Sequence, residues 1–258
     1  MSAAGDVLAD IVAAKRARLA RGIATPERGP RPSDGAAFVS ALREPGVRVI
    51  AEIKAKSPSA GEIVHGADGK LETLALHYRR GRAAAISVVT EEDFFGGRPE
   101  WVARAKSISG LPVLMKDFFV APEQLEQAAA LGADAVLLIV RALQGEELAT
   151  LRERARQLGL AVVAEAHAAD EIRAAAAIAP DVVGVNARDL ATFATDLEAL
   201  ARLAPEIPTG PVRLAESGIR TRDDVDRLSS AGFQAFLVGE SLLRSEDPED
   251  ALRALTGA

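Results

Sequence analysis

Acidic and basic side chains stand where several short apolar segments of the chain end, and this placement suggests proton-transfer chemistry. Glu52-Ile53-Lys54 closes the first segment, and Lys116-Asp117 closes the third. Successive side chains of a strand point to opposite faces, so Glu52 and Lys54 would share one face. A carboxylate and an ammonium group in one cleft can exchange protons with a substrate. A buried structural ion pair is the alternative explanation for these two residues.

Three later segments end in the same way. Glu165 ends the fifth, Asn186 ends the sixth with Arg188 just beyond it, and Glu216 ends the seventh. If these ends meet, three carboxylates and two ammonium groups form a charge-balanced cluster, which stability alone rarely requires. Neighbouring positive charge and partial burial are then expected to lower the pKa of at least one of the two lysines.

Glycines and hydroxyl groups near the same ends suggest a phosphate site. Ser217-Gly218 follows the seventh segment, Gly239-Glu240-Ser241 follows the eighth, and Ser57 lies just beyond the first. Backbone N–H groups in such loops bind phosphate dianions at helix N-termini. Ordinary turn glycines are the alternative, and the Glu240 carboxylate would have to point away from a bound phosphate.

Four of the eight Phe residues follow the second and third segments, where they could line a pocket for an aromatic ligand or simply cap the core. They are Phe94, Phe95, Phe118 and Phe119. His167, just past the fifth segment, is interpreted as a residue that orients the helix after it.

The segments that carry these residues are predicted to be strands, since they are short, apolar and rich in β-branched residues. Helical periodicity fills the intervals, as in 143–158. Eight strand–helix units in about 250 residues predict a (βα)8 barrel, whose active site lies at the C-terminal ends of the strands. The eight predicted strands are Val49–Lys54, Ala85–Thr90, Pro112–Asp117, Asp134–Val140, Ala161–Ala166, Asp181–Asn186, Val212–Glu216 and Ala235–Gly239.

Before the first strand lies an N-terminal helical extension, residues 1–47, and residues 48–258 form the barrel of a single domain. The extension is predicted to contain a helix over Gly5–Arg21, a linker over Thr25–Gly35 and a short helix near Ala36–Leu42, and to pack across one end of the barrel. Within the barrel, Gly81, Gly132 and Gly232 are interpreted as helix stops.

Composition excludes several classes of protein. The chain has no Cys, three scattered His and a net charge of −6, which argue against thiol chemistry, a His-built metal site and nucleic-acid binding. We find no apolar run long enough to span a membrane and no signal-peptide core at the N-terminus. We therefore expect a cytoplasmic monomer that binds neither nucleic acid nor membrane. Only six of its 31 basic residues are Lys, the type whose pKa can be tuned.

Several strings of the sequence resemble the indole-3-glycerol phosphate synthase family, (βα)8 enzymes of tryptophan biosynthesis. The resemblance extends over every predicted strand. It is carried by IAEIKAKSPS (Ile50–Ser59), LMKDF (Leu114–Phe118), GADAVLLIV (Gly132–Val140), GVNARDL (Gly184–Leu190), AESGI (Ala215–Ile219) and FLVGESL (Phe236–Leu242).

The resemblance implies a carboxy-lyase that closes the ring of 1-(2-carboxyphenylamino)-1-deoxyribulose 5-phosphate, with loss of CO2 and water, without cofactor or metal. Lys116 would be the general acid and Glu165 the general base, with Lys54 and Glu52 assisting; which lysine acts in the dehydration stays open. The remaining positions carried over would bind this phosphorylated small molecule. They are Asn186, Arg188, Glu216 and Ser217 for its carboxylate and hydroxyls, Ser57, Gly218, Gly239 and Glu240 for its phosphate, and Phe95, Phe118 and Leu190 for the anthranilate ring.

Two alternatives stay open at this point. One is another phosphate-binding barrel enzyme, such as phosphoribosylanthranilate isomerase, which the chain resembles only in the phosphate loops. That enzyme is expected to use a Cys/Asp pair, and this chain contains no Cys. A non-catalytic sensor of a phosphorylated ligand is disfavoured by the charged barrel mouth, because burying carboxylates is costly.

Overall fold

Alternating strands and helices build the molecule, whose computed structural model describes residues 7–23, 26, 32–188 and 194–257. The strands are β1 (Arg48–Ile53), β2 (Lys56–Ser57), β3 (Gly61–Glu62), β4 (Ala85–Val89), β5 (Val113–Lys116), β6 (Ala135–Ile139), β7 (Ala161–Ala166), β8 (Val182–Asn186), β9 (Val212–Glu216) and β10 (Ala235–Val238). The helices are α1 (Val7–Ala20), α2 (Gly35–Arg43), α3 (Ala67–Arg80), α4 (Trp101–Ser109), α5 (Pro122–Ala130), α6 (Glu147–Gln157), α7 (Ala169–Ala177), α8 (Leu197–Leu203), α9 (Arg222–Ala231), α10 (Glu240–Leu243) and α11 (Pro248–Thr256).

Eight of the strands are parallel and close into a barrel, with β1 paired to both β4 and β10. The predicted (βα)8 fold is confirmed, and each of the eight predicted strands matches an observed one to within one residue at either end. A short antiparallel hairpin, β2 with β3, lies in the loop after β1 and was not predicted. Strands of two residues are too short to leave a period-two pattern in the sequence.

Side-chain alternation along the strands determines which residues enter the barrel. On β1, Val49, Ala51 and Ile53 pack in the layer between strands and helices, whereas Ile50 packs inside the barrel. Glu52, two residues after Ile50, therefore also points inward. The same parity places the polar residues that end the other strands inside the mouth.

The two helices of the extension close opposite ends of the barrel, so the expectation that the extension covers one end is wrong. Phe38 and Leu42 of α2 are buried against the first residues of the strands. Leu8 and Ile11 of α1 are buried at the mouth instead. The observed bounds of both helices agree with the prediction, while most of the predicted linker lies outside the described residues.

Two of the three predicted glycine stops are confirmed. Gly132 and Gly232 have φ of 79° and 108°, the left-handed conformation that ends a helix. Gly81 has φ of −73°, and the left-handed residue is Arg82 after it, at 64°. Close packing explains why position 81 is a glycine, since a Cβ there would lie 3.0 Å from atoms of α11. Among the described residues, no helix combines the length and apolar character that a membrane span requires.

Candidate active site

A cavity of about 780 Å³ opens at the C-terminal ends of the barrel strands. Thirteen of the sequence-predicted site residues line it directly. They are Glu52, Lys54, Ser57, Phe95, Lys116, Phe118, Glu165, Asn186, Arg188, Ser217, Gly218, Gly239 and Glu240. Glu216 lies just beneath its wall. Leu190, predicted for the anthranilate pocket, lies outside the described residues.

The centre of the mouth is the predicted acid–base cluster. The Lys116 Nζ lies 3.5 Å from Glu165 Oε2 and 3.4 Å from Glu216 Oε2. Lys54 donates a hydrogen bond of 2.7 Å to Glu52 Oε1. The side chains of the three carboxylates are at most 5% exposed, whereas those of the lysines are 15–18% exposed, so the ammonium groups are the ones that reach the cavity.

The pKa of Lys116 is raised, so Lys116 is not the mouth lysine of lowered pKa that the sequence argument expected among the two. Burial alone would lower this pKa, but the attraction of Glu216, Glu165 and Glu52 outweighs it. At Lys116 the difference arises from the three inward-facing carboxylates, which the sequence argument did not weigh against burial and the second lysine. The carboxylates therefore hold Lys116 as a charged proton donor.

The carboxylates do not share one protonation state. Burial raises the pKa of Glu52 and Glu165, but Lys54 and Lys116 respectively are the main groups that pull it below its usual value. Glu165 is further favoured as an anion by His167 and by a hydrogen bond from Asn186. For Glu216, burial raises the pKa to about 8, since the nearby carboxylates offset part of the attraction to Lys116. Adjacent acids with separated pKa values are typical of catalytic sites.

Two glycines make room for these carboxylates, and the sequence analysis missed one of them. A Cβ at Gly184 of β8 would overlap Glu216 Oε1, and one at Gly239 would lie 2.7 Å from Glu52 Oε1. Gly239 had been assigned to the phosphate loop alone. For Gly184 the available signal was a glycine inside an otherwise apolar strand, which marks a close approach by another group.

Residues of the loops after β1, β9 and β10 line the cavity as its polar pole, and the phosphate hypothesis concerns these loops. Ser217 and Gly218 have φ of 69° and 78°, a turn that a barrel uses to present backbone N–H groups. The Glu240 carboxylate is paired with two arginines that also line the cavity: Arg244 donates to its Oε1 at 3.0 Å, and its Oε2 lies 3.8 Å from the Arg188 guanidinium. Arg188 also donates to Ser59 Oγ at 3.2 Å.

Another part of the lining, the apolar pole, carries hydrophobic side chains. The rings of Phe95 and Phe118 are 6.0 Å apart, and side chains of α1, namely Val7, Leu8 and Ile11, line the cavity with them. Phe119 is instead buried in the core, as the alternative explanation expected, whereas Phe95 and Phe118 line the cavity. The lining by α1 was missed, because a periodic helix in the sequence does not reveal what its apolar face covers.

Buried Glu91 fixes the loop that carries Phe95, a second role the sequence analysis missed. Its carboxylate accepts the backbone N–H groups of Asp93, Phe94 and Phe95 at 2.7–3.1 Å. His167 does orient the helix after it, since its N–H donates to Glu171 in the first turn of α7 at 2.8 Å. Within the described ranges, no group of three His, Asp or Glu is arranged to hold a metal ion.

Comparison with known proteins agrees with this geometry. The sequence profile of indole-3-glycerol phosphate synthase matches residues 8–255. Proteins of that name from Koribacter versatilis and Mycolicibacterium gilvum are 46% and 42% identical to this chain, over 82% and 98% of its length and 81% and 91% of theirs. A third, indole-3-glycerol phosphate synthase 2 of Streptomyces coelicolor, is 46% identical over 85% of this chain and 84% of its own.

More distant solved structures share the fold alone. Orotidine 5′-phosphate decarboxylase from Pyrococcus horikoshii superimposes with a TM-score of 0.62 at 14% identity, covering 81% of this chain and 97% of its own. Thiamine phosphate pyrophosphorylase from Pyrococcus furiosus gives 0.60 at 16% identity, covering 84% and 95%. Because the family profile spans almost the whole sequence and relatives of that name reach 42–46% identity, the chain belongs to the indole-3-glycerol phosphate synthase family.

Proposed function

We propose that the mouth cluster catalyses the reaction of this family, with Lys116 as the proton donor and Glu165 as the proton acceptor. Members are decarboxylating lyases of tryptophan biosynthesis, and the reaction converts 1-(2-carboxyphenylamino)-1-deoxyribulose 5-phosphate to indole-3-glycerol phosphate, CO2 and water. The observation that carries the assignment is the position of Lys116 Nζ, 3.5 Å from Glu165 and 3.4 Å from Glu216, in a cavity that is also lined by the apolar pole and the polar pole.

The two poles orient the substrate. Its anthranilate ring lies against Phe95 and Phe118, and its phosphate is held by the loops of Ser57, Gly218 and Gly239 with the backbone at Glu240. Arg188 binds the carboxylate, a role suited to a guanidinium that is always charged. The ketone carbon is then held near Lys116, so that orientation supplies a large share of the acceleration.

Ring closure is the first chemical step. The nitrogen lone pair drives the carbon that bears the carboxylate onto the ketone carbon, and Lys116 gives its proton to the ketone oxygen. The alkoxide that would otherwise form is more basic than an amine, so a lysine with a raised pKa can still donate to it. The C–CO2 bond then breaks, and its electron pair neutralises the ring iminium.

Dehydration completes the indole. A second proton, from a mouth ammonium group, Lys54 or Lys116, lets the hydroxyl leave as water. Glu165 removes a proton from the carbon next to the nitrogen, and the new double bond forms. Its lowered pKa keeps Glu165 ionised and ready to accept that proton. Asn186, Glu216 and Ser217 hold the hydroxyl groups, and Glu52 positions Lys54.

Formation of indole-3-glycerol phosphate from the synthetic substrate tests the proposal. We expect Lys116→Ala to lower kcat by at least about 10²- to 10⁴-fold, the usual contribution of a general acid, while calorimetry still detects substrate binding. Lys70→Ala, at an exposed position of α3, is the matched control and should turn over normally. Near-normal turnover by Lys116→Ala would refute the assignment. The isomerase and sensor alternatives are not favoured by the family match.

We also propose that the chain acts as a monomer in the cytoplasm. Among the described residues, only two large hydrophobic side chains are exposed, Leu76 and Ile108, each with 36% of its surface accessible. Stable dimers bury a larger apolar area than two such residues supply. Light scattering during size-exclusion chromatography should give a mass near 27.0 kDa, and a mass of twice that value would refute the monomer.

A further inference from the structure

One arginine of the polar pole, Arg220 in the loop after β9, is left without a charge partner by the fold. Three arginines line the cavity, Arg188, Arg220 and Arg244. Two of them share one carboxylate, since Arg244 lies 3.0 Å and Arg188 lies 3.8 Å from Glu240. Within the described part of the chain, the guanidinium of Arg220 makes neither an ion pair nor a hydrogen bond. The polar pole therefore carries a positive charge that no described side chain neutralises.

The backbone around Arg220 is fixed on both sides of the residue. The carbonyl of Ile219 accepts a hydrogen bond from Ser241 Oγ at 3.1 Å, which joins the loop after β9 to α10. The N–H groups of Arg220 and Thr221 both donate to Asp224 Oδ2 at 3.0 Å. These contacts hold the backbone of Arg220 at the rim of the cavity, whereas its exposed side chain can turn toward a ligand.

The nearby carboxylates already have other partners. A shallower cleft that Arg220 also lines contains three acidic residues, Asp196, Glu198 and Asp224. Arg227 pairs with Glu198 at 2.6 Å and with Asp224 at 3.3 Å. Asp196 is the N-cap of α8 and lies 3.8 Å from Arg202. The charge of Arg220 is therefore available to an anion from outside the protein.

A phosphate dianion suits a guanidinium at this position. Arg220 lies two residues after Gly218, at the left-handed turn where the substrate phosphate is proposed to bind. The planar guanidinium group can donate two parallel hydrogen bonds to phosphate oxygens. Glu240 adds a negative charge to the same pole and engages the other two arginines, so a bound dianion requires a further cation there.

We propose that Arg220 binds the phosphate group of the substrate and draws it into the polar pole. The proposal rests on the proposed function, which supplies a phosphorylated substrate. A charge at the rim of a site mainly affects capture of the ligand and its dependence on salt. Arg220 should therefore lower KM and leave the chemistry at the mouth cluster unchanged.

Arg220→Gln tests the proposal, and Arg222→Gln is its matched control. Arg222 lies two positions further along, pairs with Asp226 at 2.8 Å and is not among the residues that line the cavity. We expect Arg220→Gln to raise KM by about three- to tenfold at low salt and by less at high salt, with kcat little changed. Arg220→Lys keeps the charge and should recover most of the lost affinity, which a purely structural role of the guanidinium would not allow.

Two binding measurements separate the phosphate from the rest of the substrate. Calorimetric titration with inorganic phosphate should give a Kd that is higher for Arg220→Gln than for Arg222→Gln by a similar factor. The substrate without its phosphate group should bind equally well to the wild type and to Arg220→Gln.

The outcomes distinguish the proposal from the function on which it rests. Equal KM values and equal phosphate affinities of Arg220→Gln and Arg222→Gln would overturn the role of Arg220. An equal loss of affinity for the substrate with and without its phosphate would also overturn it, because Arg220 would then act on another group. Failure of the wild type to form product would instead refute the proposed function, while the titration with inorganic phosphate would still decide whether Arg220 binds phosphate.

Discussion

Helix α1 is attached to the barrel mouth by a buried ion pair, and breaking that pair should open the apolar pole of the site. Lys15 Nζ lies 2.7 Å from Asp117 Oδ1, with the side chains 8% and 6% exposed. Asp117 follows Lys116 directly and also accepts hydrogen bonds from Thr90 Oγ1 at 2.8 Å and from the Phe118 N–H at 2.7 Å. Lys15→Met removes the cation and leaves this carboxylate buried.

The magnitude follows from that burial. Removing one partner of a buried ion pair costs about 3–5 kcal/mol. The two hydrogen bonds that Asp117 keeps place the cost near the lower limit, about 3 kcal/mol. At 1.36 kcal/mol per factor of ten, the equilibrium between docked and undocked α1 shifts by roughly 150-fold toward undocking. Since Leu8 and Ile11 of α1 line the cavity with Phe118, an undocked helix would expose the proposed binding site for the aromatic ring.

Steady-state kinetics and amide hydrogen exchange measure the two consequences. We expect KM of Lys15→Met to rise by about tenfold to a hundredfold, kcat to change less, and the amides of α1 to lose protection. Arg16→Met is the control on the same helix: Arg16 pairs with Glu147, but the side chains are 44% and 34% exposed, and such pairs contribute at most about 1 kcal/mol. Equal KM values for the two variants would refute the reasoning.

Three further predictions concern the mouth itself. Gly184→Ala places a Cβ that would overlap the Glu216 carboxylate, so it should destabilise the fold by about 1–3 kcal/mol and lower kcat at least tenfold. The control Gly69→Ala, at a position of α3 with open space, should be neutral or stabilising. Equal melting temperatures of the two variants would contradict this prediction. Folding raises the pKa of Glu216 from 4.5 to about 8, so the unfolded chain releases this proton at a lower pH than the folded protein does. The wild type should therefore lose stability relative to Glu216→Gln as pH rises from about 5 to 8. Denaturation curves in which the difference between the two proteins does not depend on pH would disprove this prediction. Glu240→Ser removes a negative charge from the polar pole, where the phosphate is proposed to bind. The variant should therefore have a KM lower by a few-fold at low salt and by less at high salt, because salt screens the repulsion. An unchanged or higher KM would count against a phosphate there.

Strand positions were predictable because each barrel strand is buried on both faces. The run AVVAEA, for example, is apolar enough to be recognised alone, and its bounds Ala161–Ala166 agree with the structure. The inward direction of Glu52 followed equally from strand alternation. The hairpin of β2 and β3 was not predictable because strands of two residues leave no period-two pattern. The close approach of Gly81 to α11 was not predictable because it is a contact with a distant segment.

By itself, the sequence determined the eight strand–helix units and placed a polar residue at the end of most strands. Both follow from local rules, the two-residue period of a strand and the C-terminal location of barrel sites. Only the tertiary structure decided the protonation of that cluster. The pKa of Lys116 is raised and that of Glu216 is raised to about 8, because burial and distances of a few ångströms between residues a hundred positions apart set these values. The closure of the mouth by α1, and the imidazole of His167 behind Glu165, likewise arise from contacts that no sequence period encodes.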